Sequence, residues 1–261
     1  MKYVPALSML AAFGLAGMAA MAGGASAQTA PVLPAPTPIT SPARPGEQSS
    51  RSGAAPSVLP TQPVPVVGNR ISTRYAFVLH GAFFSLESRA DTLLDPQVFV
   101  QDPRVSAGVG PQAIPHAANF RPALFIDDPA SSIANANGDP LGHNLANWLQ
   151  ARGTASLVAV GSTERITLSF LDLISGGHYS LFELHFNPPA PITFTPLDGR
   201  GTTNNFVAES TGRATVTVVA PQVLTHAYAI VLVYHSDAQY HGTSRGIPGV
   251  TAHHQLILRI P

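Results

Sequence analysis

The sequence predicts an all-β protein: an antiparallel β-sandwich with one short helix, preceded by a signal peptide and a disordered Pro-rich spacer. Three observations indicate this class. Short segments rich in β-branched and aromatic residues recur along the chain, each bounded by Gly, Pro, Asn or Asp. These segments do not alternate with helices, and no repeat of fixed period occurs. Only 11% of the residues are charged, whereas 25 are proline and 22 are glycine, which is typical of loop-rich β proteins.

The first 27 residues have the parts of a signal peptide. Lys2 supplies a positive charge, an apolar run follows, and Ala25 and Ala27 form an A-x-A site with cleavage before Gln28. An uncleaved membrane anchor is the alternative, because the apolar run is nearly long enough to span a bilayer. The cleavage site favours removal, so we expect a periplasmic or secreted protein without a transmembrane segment.

Residues 28–68 form a spacer dominated by Pro, Ala, Ser and Thr. The segment has no hydrophobic period, so it buries too little apolar surface to offset the entropy that it would lose on ordering. We expect an extended, disordered linker. The β-sandwich domain then comprises residues 69–261, which is enough chain for one sizeable core.

The first part of this domain combines strands with the predicted helix. The helix is expected over residues 139–153, where apolar side chains recur at helical spacing and Gly153 is placed to end it. Its apolar face consists of Leu141, Leu145, Trp148 and Leu149. The first strand candidate lies in ISTRYAFVLHGAFF and ends at Gly81, and the other candidates are PQVFVQD and RPALFIDD.

The rest of the domain has the stronger strand signal. Two segments that meet at Gly161 predict a β-hairpin, and a third follows Gly176 and Gly177. In the segment HAYAIVLVYHS both sets of alternate positions are apolar, so we expect a central strand that is covered on both faces. The successive candidates are GTASLVAVG, ERITLSFLDL, SGGHYSLFELHF, NNFVAES, GRATVTVVA, HAYAIVLVYHS and HHQLILRI.

Charge and cysteine content exclude several kinds of partner. The formal net charge is zero and Lys and Arg do not cluster, so we expect no nucleic-acid partner and no docking on an acidic membrane surface. The chain has no cysteine, which excludes disulfides and cysteine-ligated copper or iron–sulfur sites. The partners that remain are a periplasmic or extracellular protein, or a small molecule.

Metal-ligating side chains concentrate at the end of the predicted central strand. His235 and Asp237 lie on one side of an extended chain, and His241 follows in the loop beyond. His253 and His254 begin the last strand. Because imidazole and carboxylate are ligands of zinc and copper, we predict a Zn or Cu site formed by His235, Asp237, His241 and His254. The alternative is a strand end that runs into a solvated polar loop.

Glu183 and His185 form a second polar pair, on a strand that is otherwise apolar. Their common face would bring them to His235 as further metal ligands, or as an acid–base pair, if the two strands were neighbours. We include both residues in the predicted ligand set. The interpretation we favour for this face is nevertheless an exposed side of the sandwich, with its polar residues directed outward.

The sequence predicts no catalytic residue. It contains neither a G-x-S-x-G nor an S-x-x-K motif. Ser236 lies between His235 and Asp237, but neighbours in an extended strand point to opposite faces, which argues against a local catalytic triad. Apart from the metal ligands, we predict no cofactor-binding residue.

Residues 144–260 contain an ordered series of segments: LANWLQARGTASL, LISGGHYSLFELHF, NNFVAESTGRATV, VYHSDAQYHG and HHQLIL. In this order, and in the Y-H-x-D-x(3)-H-G core at residues 234–242, the chain resembles a loosely defined group of secreted bacterial and archaeal proteins without an established function. It is also faintly similar to CHRD-type modules in its G-x-A-x-L and G-x-Y-x-L-x-x-x-H rhythm, but the two-histidine pattern of CHRD strands is not matched. The resemblance implies an extracytoplasmic β-sandwich and no particular reaction.

The sequence therefore predicts an exported, non-enzymatic β-sandwich that binds an unidentified ligand or has a structural role. The alternative is an extracytoplasmic His/Asp metal-binding protein, with zinc or copper and with hydrolytic or redox activity.

Overall fold

The computed structural model describes residues 73–186 and 192–260. The predicted signal peptide and spacer lie outside these residues. All strand ladders in the described part are antiparallel, which confirms the predicted all-β antiparallel class. No helix in these two ranges combines the length and the apolarity that crossing a membrane requires.

The strands are β1 (Thr73–Ala76), β2 (Val78–Leu79), β3 (Leu94–Gln101), β4 (Gly108–Val109), β5 (Pro115–His116), β6 (Phe120–Leu124), β7 (Ser132–Ala134), β8 (Pro140–Asn144), β9 (Arg152–Val160), β10 (Thr163–Leu171), β11 (His178–His185), β12 (Thr193–Pro196), β13 (Asn205–Val207), β14 (Ala214–Ala220), β15 (Tyr228–His235) and β16 (Ala252–Arg259). The helices are α1 (His80–Ser88) and α2 (Leu145–Leu149), with a 3₁₀ turn at Pro111–Ala113.

Two sheets form the sandwich. One has the order β1-β9-β10-β14, and the other has the order β12-β11-β15-β16-β2, with β13 also paired to β11. A single core joins their facing sides, with Leu168 and Phe170 from the first sheet and Leu181, Ile230 and Leu232 from the second. Face-to-face packing of two antiparallel sheets around one apolar core is the β-sandwich that the strand pattern predicts.

β15 is the central strand of the larger sheet and is covered on both faces. Ile230 and Leu232 enter the sandwich core. Val231 and Val233 point the other way, into a second apolar cluster against which Phe83 of α1 packs. The prediction of a doubly covered central strand is therefore confirmed, and it fixes the end of β15 between two packed layers.

A third sheet, β6-β3-β7-β8, brings buried polar side chains of β3 close to the start of β16. Asp95 on β3 is buried and accepts a hydrogen bond of 2.8 Å from the indole N–H of Trp148. The side-chain oxygen of Gln97 accepts from the backbone N–H of His254 at 2.8 Å. These contacts satisfy polar groups that burial would otherwise leave without partners.

The last strand contains a β-bulge. The pairing of β15 with β16 shifts register between Leu256 and His254, so Gln255 has no opposite residue. Gln255 turns into the core, where its oxygen accepts from the Tyr179 hydroxyl at 3.2 Å and its N–H donates to the Trp148 carbonyl at 3.0 Å. The extra residue thus serves two buried polar groups.

The first strand is predicted to end at Gly81, but it ends at Leu79, and α1 begins at His80. Gly81 allows this helix to approach β3, because a Cβ there would lie 2.8 Å from the carbonyl oxygen of Leu94. The hydroxyl of Ser85 accepts a hydrogen bond from the N–H of Leu94 at 3.0 Å. Small residues therefore form the face of α1 that packs on β3, so the sequence shows no apolar periodicity that predicts a helix here.

The helix predicted over residues 139–153 is correct only in its centre, Leu145–Leu149. The residues before it form β8 and pair with β7, and the helix begins where the side chain of Asn144 accepts from the N–H of Asn147 at 3.0 Å. Gly153 does not end the helix but lies in β9. A Cβ at Gly153 would lie 2.6 Å from the ring of Phe170, so close packing explains this glycine.

Candidate metal centre

His235, Asp237 and His241 come together at the end of β15. One potential ligand atom from each residue lies within 4.8 Å of the other two. His235 is 1% exposed, whereas the side chains of Asp237 and His241 are 28% and 26% exposed. The cluster is therefore anchored in the core on one side and open to solvent on the other.

The two ring nitrogens of His235 have different surroundings. Nε2 lies 2.6 Å from the hydroxyl oxygen of Ser180, whereas Nδ1 is buried without a hydrogen-bond partner. When the hydroxyl accepts from Nε2–H, the neutral ring presents the lone pair of Nδ1. Burial, with a smaller contribution from nearby His241, lowers the pKa of His235 to about 4. The ring is thus neutral at pH 7, as a metal ligand must be.

Asp237 and His241 approach each other without forming a hydrogen bond. Nε2 of His241 lies 3.1 Å from Oδ2 of Asp237, yet it has no hydrogen-bond partner and is buried. The other carboxylate oxygen of Asp237 accepts from the N–H of Gln239 at 3.1 Å, which orients the group. A shared cation would satisfy both ligand-type atoms.

His178 is a further histidine beside the cluster. It lies directly opposite His235 in the β11–β15 pair, and its Nδ1 is also buried without a hydrogen-bond partner. Its ring packs on that of Tyr240, with centroids 5.1 Å apart. The sequence does not predict His178 as a ligand, because the signal is the register of two strands that lie far apart in the chain.

A contact between two loops holds His241 in place. A Cβ on Gly201 would lie 2.4 Å from the carbonyl carbon and oxygen of Gly242, so the backbones touch at a distance that only glycine permits. The carboxylate of Asp198 secures the loop of Gly201 by accepting the backbone N–H groups of Gly201 and Thr203 at 2.7 Å and 2.6 Å. This loop limits the movement of the residue that follows His241.

Glu183 and His185 are not part of the cluster, and the face of Glu183 is not exposed as we favoured from the sequence. Glu183 is 2% exposed and accepts from Thr195 at 2.9 Å and from Gln222 at 2.9 Å and 3.0 Å. Nε2 of His185 lies 3.4 Å from the same carboxylate. Five strand positions separate Glu183 from His178, or about 16 Å. These residues form a separate, internally satisfied polar pair.

His254 lies apart from the cluster as well. Nε2 of His254 is 3.0 Å from a guanidinium nitrogen of Arg245, which can only donate. The neutral ring therefore carries its hydrogen on Nδ1 and retains no free lone pair for a metal. Burial lowers the pKa of His254 well below its ordinary value, and the ring of His80 packs edge-on against it at 4.9 Å.

His253 points to the opposite face of β16. Its Nδ1 lies 2.8 Å from the backbone oxygen of Gln97, and its Nε2 lies 3.1 Å from the hydroxyl of Ser236. Burial lowers the pKa of His253 to about 4. Ser236 thus points away from His235, as the alternation of an extended chain predicts, and meets a histidine from another strand instead.

No protein-family model, no curated protein and no solved structure matches this chain.

Proposed function

We propose that this protein is an exported β-sandwich that binds a transition-metal ion, zinc or copper, through His235, Asp237 and His241. The observation that carries the proposal is the convergence of three ligand-type groups on one strand end. Nδ1 of His235 is buried without a hydrogen-bond partner, and the buried Nε2 of His241 lies 3.1 Å from the carboxylate of Asp237. Export rests on the signal-peptide pattern of residues 1–27.

The donor set favours zinc or copper over calcium or magnesium, because two imidazoles and one carboxylate suit borderline cations, whereas calcium and magnesium take oxygen ligands. Bonds of 2.0–2.1 Å around a tetrahedral zinc place ligand atoms about 3.4 Å apart. The present spacing of up to 4.8 Å closes to that value with movements of about 1 Å. The exposed sides of Asp237 and His241 permit such movement.

Three protein ligands leave one coordination position for water or for a ligand from solution. This arrangement supports a site that exchanges its ion or binds a second molecule through it. The metal ion is then the ligand of the binding module that the sequence predicts. Hydrolytic or redox chemistry would require the open position to accept a substrate.

The test is metal binding by the chain without an affinity tag. We expect calorimetric titration with zinc or copper to give one ion per chain, and H235A and H241A to abolish this binding. H226A is the matched control, because His226 is exposed and precedes the opposite end of β15. Elemental analysis that finds no stoichiometric zinc or copper after reconstitution would overturn the proposal. An equal loss of binding in H226A would also overturn it.

A further inference from the structure

We infer that Ser236 is a nucleophile activated by His253, and that the cleft beside it accepts short acyl esters that are neutral or cationic. The hydroxyl oxygen of Ser236 lies 3.1 Å from Nε2 of His253. The two residues come from different strands and meet on the face of β15 that points away from His235. This activity does not require the proposed metal ion.

The tautomer of His253 follows from its second contact. Nδ1 lies 2.8 Å from the backbone carbonyl oxygen of Gln97, and a carbonyl oxygen can only accept. Nδ1 must therefore carry a hydrogen, and in the neutral ring the lone pair of Nε2 faces Ser236. His253 is completely buried, which favours the neutral ring. Nucleophile, base and orienting acceptor are thus in the order that a serine hydrolase uses, with a main-chain carbonyl as the third group.

A backbone carbonyl accepts a hydrogen bond from the Ser236 hydroxyl and competes with His253 for its hydrogen. The carbonyl oxygen of Val250 is 3.0 Å from the hydroxyl oxygen of Ser236. The same carbonyl also accepts from the side-chain N–H of Asn135 at 3.2 Å, so it keeps one hydrogen-bond donor when the serine hydroxyl turns away. The Ser236 hydroxyl therefore has to rotate its hydrogen from Val250 to Nε2 of His253 before it can attack a substrate.

Ser236 borders a cleft of about 270 Å³. Asp139 and Asp237 line the same cleft, and no Lys or Arg does so among the residues that the structure describes. Leu141 and Val250 supply apolar surface. The volume is below the usual range for drug-sized ligands, and the carboxylates disfavour anions. A short acyl group on a neutral or cationic alcohol fits these limits.

The reaction balances without a co-reactant other than water. The oxygen of Ser236 bonds to the ester carbonyl carbon while its proton passes to Nε2 of His253. The carbon–oxygen bond to the alcohol then breaks, and the alcohol leaves with that proton. Water attacks the acyl-serine, giving its proton to Nε2, and the serine oxygen recovers it as the carboxylic acid departs.

A fluorophosphonate probe tests the nucleophile directly, because the serine oxygen bonds to phosphorus, fluoride leaves, and His253 takes the proton. The full chain is treated with the probe in the presence of EDTA, and the labelled peptide is located by mass spectrometry. We expect the label on Ser236, no label at that peptide in S236A, and labelling about 100-fold slower in H253Q. S244A is the matched control, because Ser244 is an exposed serine in the following loop. Its substitution should leave the labelling of Ser236 unchanged.

Absence of label from Ser236 in the folded wild-type chain would overturn the inference, as would equal labelling of Ser236 and Ser244. Circular dichroism establishes which variants fold. If H253Q does not fold, the comparison of Ser236 with Ser244 in the wild-type peptide map decides. Because EDTA is present throughout, failure of the metal proposal does not change any of these outcomes.

Discussion

The hydroxyl oxygen of Ser180 lies 2.6 Å from Nε2 of His235 across the β11–β15 pair, while Nδ1 of the same ring is buried without a hydrogen-bond partner. We expect S180A to weaken zinc binding about 10- to 100-fold, because the ring loses the partner that fixes its orientation and tautomer. Calorimetric titration measures this change.

S162A is the control for that experiment, because Ser162 is an exposed residue in the β9–β10 turn. It should bind zinc as the wild type does. If S180A and S162A bind zinc with equal affinity, Ser180 does not orient the ligand.

Gly201 and Gly161 allow a matched test of the loop contact near His241. Both have positive φ, +74° and +64°, so alanine strains the backbone by about 1 kcal/mol at either position. Only at Gly201 does the added methyl meet the backbone of Gly242, because a Cβ at Gly161 has no neighbour within 4 Å. We expect G201A to displace the loop of His241 and reduce zinc affinity, while G161A lowers stability alone.

Urea unfolding and zinc titration of both variants separate these effects. Wild-type zinc affinity in G201A would show that the loop contact does not position His241.

A substitution of Glu183 tests whether this residue, which the sequence predicts as a metal ligand, lies outside the metal site. E183Q keeps the shape of the side chain but removes the charge that Gln222, Thr195 and His185 surround. We expect lower stability, by about 1–3 kcal/mol, because the amide nitrogen faces donors in a buried site. Zinc affinity should be unchanged, and a loss of zinc binding in the folded variant would contradict the separation.

The free energy of unfolding should fall as the pH decreases from about 6.5 towards 4. Burial lowers the pKa values of five histidines below the ordinary 6.5: His80, His143, His235, His253 and His254. The unfolded chain therefore takes up protons in this range that the folded chain excludes. Burial raises the pKa of Asp95 to about 6, which acts in the opposite direction. Five protons less one give a loss of about 5 kcal/mol per pH unit where all of these groups titrate.

Urea unfolding at pH 7, 6 and 5 in EDTA measures this slope through the fluorescence of Trp148, the only tryptophan of the chain. D95N is the matched variant, because it removes the proton that Asp95 takes up in the folded chain and should steepen the slope by about 1.4 kcal/mol per pH unit. A stability that does not change between pH 7 and 5 would show that these histidines are not excluded from protonation.

Local pattern was sufficient to predict β9 to β11 and β13 to β16, since each has apolar residues on one or both faces and turn residues at its ends. It did not predict β12, whose four residues contain two threonines and a proline. It also did not predict α1, because Gly81 and Ser85 form the face of that helix that packs on β3. Neither residue is strongly hydrophobic, so the helix has no apolar periodicity. The side chain of Asn144 similarly decides where α2 begins, inside a segment whose apolar spacing favours a longer helix.

The candidate site shows the same division between local and distant information. His235, Asp237 and His241 lie within seven residues, so their proximity follows from one strand end and its loop. The position of His178 opposite His235 depends on strand order and register, which no single segment contains. The contact between Ser236 and His253 also depends on the pairing of two strands and does not follow from any single segment.

The bulge at Gln255 also has a consequence for how the last strand can change. Deleting this residue would restore an uninterrupted ladder between β15 and β16 and would leave His253 and His254 on their present faces. The chain would gain a regular hydrogen-bond pattern but would lose the amide that links the Tyr179 hydroxyl to the Trp148 carbonyl. A deletion of Gln255 would thus make the sheet regular but would leave two buried polar groups without their partner. The bulged strand is the form in which the Tyr179 hydroxyl and the Trp148 carbonyl are both hydrogen-bonded.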